Sequence, residues 1–135
     1  MKGLGAALVA TLLASAAAAA AHHSFAAEYD ANKPVTLKGT VTKVEWTNPH
    51  ARFYIDVKDD KGVVRNWNLE LASPNVLVRN GWKRTSLAVG DQVTVDGSAA
   101  KDGSKMANAR AVKLADGRQV FAGSSGGDAA PSPRH

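Results

Sequence analysis

The sequence predicts a mainly β fold with one short helix set among its strands, and three observations carry that reading. Apolar and polar residues alternate along residues 34–46 and again through 51–57 and 63–71, the two-residue period of strands with one buried face. Asp59-Asp60-Lys61-Gly62 separates the second and third of these runs as a turn, with glycine where a positive φ is wanted. Ser73-Pro74 ahead of residues 75–80, and Gly81 behind them, bracket a single helical stretch. Serine can accept from the free N–H groups of a first turn, proline fits the first helical position, and glycine ends the helix in the left-handed conformation.

Each element follows in order. In PVTLKGTVTKVEW, residues 34–46, Val35, Leu37 and Val41 share one parity, whereas Val44 and Trp46 have the other. The switch calls for a bulge or bend near Lys43, and Gly39 permits sharp curvature. Thr47-Asn48-Pro49 breaks this strand and His50 opens the next. In the hairpin, Ala51, Phe53, Ile55 and Val57 share a face with Trp67, Leu69 and Leu71. With Gly62 as the bulge glycine of a three-residue loop closed by Asp59 and Val63, Arg52 falls opposite Glu70, and His50 is their neighbour on the same face. After the helix, Trp82 anchors its end on the core. A fourth strand is expected at 92–97, a fifth from about Met106 to Leu114, and an edge segment at 118–121. Three strands, a short helix and two more strands, with a long bent first strand, make a small five-stranded OB-like barrel with the helix between strands 3 and 4. A β-sandwich has a similar strand count and is the alternative.

Composition bounds the rest. The 135 residues hold no cysteine, which excludes disulfides, thiolate metal sites and cysteine nucleophiles, so any metal must be held by nitrogen or oxygen. Residues 1–21 run from Met1-Lys2 through an apolar stretch to a series of small residues, the pattern of a cleaved secretory signal peptide. Residues 22–122 would form the barrel, and residues 123–135, GSSGGDAAPSPRH, have too little to bury and are expected to stay disordered. The product would be exported, periplasmic in a bacterium with two membranes, without stable membrane insertion after cleavage, and a monomer. Removing Lys2 with the leader lowers the formal charge of +5 by one. That modest excess is spread over scattered residues, and export argues against a nucleic-acid partner.

The segments HHSFAAEYD, VTLKGTVTKVEWTNPH, WNLELASPNVLVRNGW, LAVGDQVTVDGSAAKDGS and LADGR resemble a family of small secreted bacterial proteins, a domain of unknown function numbered about 6152. The likeness spans approximately residues 22–122. It implies an exported OB-type barrel without an assigned activity, and leaves function to the residues.

The histidines carry the sharpest chemistry. Two of the four, His22 and His23, follow the small-residue run directly. Cleavage after Ala20 leaves Ala21-His22-His23, whose amine, two backbone amides and His23 imidazole make a four-nitrogen square plane suited to Cu(II) or Ni(II). Cleavage after Ala21 leaves His22 at the terminus, a histidine brace that takes a third nitrogen from His23 or His50. Both products await the same metal, copper. His50 is a candidate ligand with Glu70 as its orienting partner or as part of a ligand rim, and Trp46, Asn48 and Tyr54 are the other rim candidates. A metal-free adaptor, binding a periplasmic protein or small ligand at the Trp46/His50 rim, is the alternative. No Ser-His-Asp spacing, phosphate-cradling loop or catalytic carboxylate pair is present, so an enzyme is not expected, although copper at a brace can perform oxidation.

Overall fold

The computed structural model describes residues 25–123. The predicted leader (1–21), His22, His23 and nearly all of the predicted tail lie outside the described residues.

One helical turn at 25–28 leads into β1 (Tyr29–Glu45). There follow β2 (Arg52–Lys58), β3 (Val64–Glu70), α1 (Pro74–Arg79), β4 (Gln92–Ala100), β5 (Met106–Lys113) and β6 (Gln119–Phe121). The sheet runs β3-β2-β1-β4-β5-β6, and parallel pairing of β3 with β5 over Asn68–Glu70 joins its ends. Five strands thus close a ring with the helix between β3 and β4, as the order of elements predicts, and β6 is the expected extra segment on β5. Among the described residues no helix is long and apolar enough to cross a membrane.

β1 makes the closure possible. Its first part pairs with β4 and its last part with β2, and its register with β2 shifts between Val41 and Lys43, where the apolar parity changes. Gly39 lies just before this handover, and a Cβ there would fall on the carbonyl oxygen of Asp56. The hairpin has the expected register: the Asp59 N–H donates to the Val63 carbonyl at 2.9 Å, Gly62 has φ +80°, and Arg52 faces Glu70.

Two strands are longer than the sequence predicts. β1 begins at Tyr29 rather than residue 34, because a register shift between Tyr29 and Pro34 lets a polar stretch intervene before Tyr29 pairs with Ala100. That stretch, Asp30 to Lys33, has almost no apolar signal. β4 continues past Gly97 to Ala100, since Gly97 marks a shift of register against β5 rather than a strand end.

Phe53, Ile55, Leu69, Val41, Val95 and Val112 fill the ring, with Ala107 and Ala109 wholly buried on β5. Leu77 of α1 belongs to the same buried core as Leu71 and Trp82. The cap is as expected: the Ser73 hydroxyl accepts from the Val76 N–H at 3.4 Å, and Gly81 has φ +94°. Trp82 is buried, and its indole N–H donates to the Phe121 carbonyl at 2.9 Å, tying the helix end to β6.

Candidate functional site

The hairpin ladder does not stop where β2 begins. The Ala51 N–H donates to Ala72 and the Leu71 N–H to Ala51, which carries the pairing one residue further and brings His50, just after the cis Asn48–Pro49 bond, beside the end of β3. Glu70, the last residue of β3, is there a buried carboxylate whose side chain is 8% exposed. Burying an ionised carboxylate is costly unless donors replace its water, and three do. Its Oε2 accepts from the Tyr29 hydroxyl at 2.8 Å and from Arg52 Nη2 at 2.8 Å; its Oε1 lies 3.0 Å from His50 Nδ1. The Arg52 fork is itself held, with Nη1 donating to Asn68 Oδ1 at 3.3 Å. Among the described residues no buried side-chain nitrogen or oxygen lacks a partner.

Electrostatics follow from this packing. Burial, then the charge of Glu70 and the hydrogen bond to it, push the Tyr29 phenol well above the usual tyrosine range. For Arg52 burial is the largest single influence and works against the charge, but Glu70, Tyr29 and Tyr54 together outweigh it and the guanidinium is held more firmly protonated. Folded Tyr29 therefore keeps its proton at a pH where an unfolded tyrosine, near pH 10.0, has lost it. Its contribution to stability is intact below about pH 10 and is lost as pH climbs beyond it. Denaturant titrations at rising alkaline pH should show the Tyr29→Phe protein losing less stability than the parent over that interval.

His50 is 30% exposed on its side chain. To donate to a carboxylate its Nδ1 must carry the proton, so in the neutral ring the lone pair sits on Nε2. A histidine held from behind by a carboxylate is the usual form of an imidazole metal ligand. Among the described residues no three histidine or acidic side chains gather as a metal cage. Of the described side chains, His50 alone has this arrangement, with one ring nitrogen turned away from the carboxylate.

The structure brings His50, Glu70 and Arg52 together, as the register predicts. Trp46, just after β1, is half-buried and packs against the core. Asn48 is exposed in the loop. Tyr54 shares the face of Arg52 but is covered by Lys43, whose Nζ lies 5.3 Å from the ring centroid. Sequence reasoning missed Tyr29, which reaches Glu70 across 41 residues of sequence. Its one signal is an aromatic hydroxyl in a polar stretch, and nothing local gives its partner.

Beside the cluster lies an open cleft of about 400 Å³, lined by Tyr29, Arg52, Asn68, Ala100, Lys101 and Met106 among others. The residues leading into β1 border it. The Lys101 N–H donates to the Glu28 carbonyl at 2.9 Å, and the Phe25 ring lies 5.7 Å from that of Tyr29.

The model of a family of unknown function (DUF6152) matches residues 9–109. No curated protein matches the chain. Among solved structures it is similar to Rim1, a mitochondrial single-stranded DNA binding protein of S. cerevisiae, at 12% identity and a TM-score of 0.47, over 61% of this chain and 92% of that one.

Proposed function

The chain belongs to DUF6152, a family of unknown function, and for it we propose an exported protein that binds copper through its processed N terminus, His22 and His23, with His50 as a further nitrogen donor. Its role would be metal buffering or delivery. The observation that carries this reading is the 3.0 Å contact of His50 Nδ1 with a buried carboxylate, which turns Nε2 into the free donor. Two features support it. The chain has no cysteine, which leaves nitrogen or oxygen donors, and the nitrogen donors of the histidines suit Cu(II). Phe25, two residues after His23, packs on Tyr29, and Tyr29 shares Glu70 with His50. When bound, copper would be held by the new terminal amine and imidazoles. Since these donors must shed protons first, affinity falls in acid.

Mass spectrometry of the exported protein should find a terminus at Ala21 or His22, and calorimetry should find one Cu(II) per chain, bound more weakly at pH 5 than at pH 7. Cleavage beyond His23, or no heat of Cu(II) binding by the processed protein, overturns the proposal.

The cleft favours a second reading, a metal-free adaptor for a periplasmic protein or small ligand. It would use Arg52 and Asn68 beside the His50 rim. A protein shortened past His23 would then retain its partner in a pull-down, and losing the partner by that shortening alone counts against it.

A further inference from the structure

We infer that the open edge of β3 over residues 64–67 is a docking strip for an extended acidic peptide, which adds to the sheet as a further strand. An unpaired backbone, exposed apolar side chains and an excess of positive charge meet there. The strip needs no metal and does not depend on the copper reading.

In an antiparallel ladder successive residues point their N–H and C=O groups to opposite sides. The Asp59 N–H donates to the Val63 carbonyl and the Leu71 N–H to the Ala51 carbonyl, so the odd-numbered residues of this stretch bond to β2. Even-numbered residues face the other way, and the Asn68 N–H donates to the Lys105 carbonyl at 3.0 Å. β5 is a neighbour only to Asn68, Leu69 and Glu70. Val64 and Asn66 therefore turn their N–H and C=O groups to a side where, among the described residues, no strand lies. Such an edge is a template for another strand. Val63 and Val64, 41% and 52% exposed, add β-branched side chains that favour pairing.

Where β3 and β5 part, an open cleft of about 480 Å³ is lined by Leu37, Val57, Asp59, Arg65, Trp67 and Lys105. Leu37, Val57 and Trp67 give it an apolar wall, and the side chains of Arg65 and Lys105 are exposed beside it. Neither cation forms an ion pair among the described residues. The acid at this place, Asp59, is engaged in its own turn, where Oδ1 accepts from the Lys61 and Val63 N–H groups at 2.9 Å.

A strand with an apolar side chain for the cleft and carboxylates for Arg65 and Lys105 fits all of these features. A second copy of this chain does not, because pairing two β3 edges would bring the two Arg65 side chains together. Residues 1–24 and 124–135 hold one acid between them, Asp128, and match the charge poorly. A single-stranded nucleic acid would answer the cations but has no peptide backbone to meet Val64 and Asn66. The Trp67 ring, moreover, packs on the core with Lys105 Nζ 5.2 Å from its centroid, a poor platform for a base.

The test titrates the purified protein with a capped octapeptide in which glutamate alternates with valine and one phenylalanine, read by fluorescence anisotropy and amide chemical shifts. Binding in the micromolar range is expected, with the largest shifts at residues 64–67 and weakening as salt is raised. Methylating the backbone nitrogens at the centre of the peptide, or Val64→Pro, should weaken binding about tenfold or more, the effect of losing one or two hydrogen bonds. Proline is tolerated at an edge position whose N–H faces outward, so Val64→Pro spares the ladder to β2. Should that variant not fold, the methylated peptide puts the same question to the unaltered protein. Arg65→Glu combined with Lys105→Glu should weaken binding about tenfold and favour a peptide with lysine in place of glutamate. No binding of the acidic peptide below about 1 mM, equal binding of the methylated peptide, or tighter binding of a thymidine oligonucleotide would overturn the inference. So would a dimer of the protein that Val64→Pro dissolves, since the edge would then belong to a second copy.

Discussion

Glu70→Ala should lower the free energy of unfolding by about 3 kcal/mol, near the lower end of the cost of removing one partner from a buried ion pair. The carboxylate answers three donors at once, Tyr29, Arg52 and His50. Its loss leaves a guanidinium 28% exposed, able to recover part of its hydration, and a phenol that is buried and cannot. The same change frees the Tyr29 end of β1, so amide exchange should rise at residues 29 and 100, which pair between β1 and β4. Glu70→Gln keeps an acceptor for Tyr29 but loses the charge facing Arg52, and should fall between the parent and the alanine variant. Urea unfolding of the three proteins checks the order. A cost below about 1 kcal/mol for Glu70→Ala, the range of an exposed pair, would mean that the cluster is solvated and orients nothing.

Gly97→Ala should be comparably damaging, at about 3 kcal/mol, the upper range for forcing atoms into a packed site. A Cβ there would fall on the Asn108 carbonyl oxygen, with the Cα of Ala109 at 3.2 Å. Those are backbone atoms and have no rotamer to escape into. β4 and β5 would have to part at the register shift between Asp96 and Gly97, where Gly97 faces Ala109 and Ser98 faces Asn108. Gly62→Ala is the informative control. Its φ of +80° strains any side chain, but a Cβ there meets nothing within 4 Å, so the cost should stay near 1 kcal/mol, the conformational penalty alone. Equal costs for the two would show that the strands do not approach as closely as described.

The parts of the fold legible in the sequence are those whose signal is local. The parity switch between Val41 and Val44 reports a bulge that lies between Val41 and Lys43. The Asp59 to Gly62 turn sets the hairpin register, and with it the facing of Arg52 and Glu70 and the approach of His50. Ser73, Pro74 and Gly81 mark the helix through caps that depend on a few neighbouring residues. What escaped depends on contacts distant in sequence. Tyr29 joins the site because β1, after an irregular stretch, pairs with the far end of β4, and no periodicity within Asp30 to Lys33 announces that return. Gly97 has the look of a turn residue, yet its lack of a side chain serves close approach by β5. Sequence neighbourhood alone does not show that Trp46 packs against the core or that Lys43 lies over the Tyr54 ring.

Glu70 presenting His50 Nε2 as a donor is the claim on which the copper reading turns, and a long-range ¹H–¹⁵N correlation spectrum of the metal-free protein tests it directly. In the neutral form of the ring the expected result is a proton on Nδ1, with Nε2 showing the shift of a bare lone-pair nitrogen, and loss of that preference in Glu70→Gln. A ring protonated at Nε2 in the parent would leave no free nitrogen facing outward and would contradict the assignment.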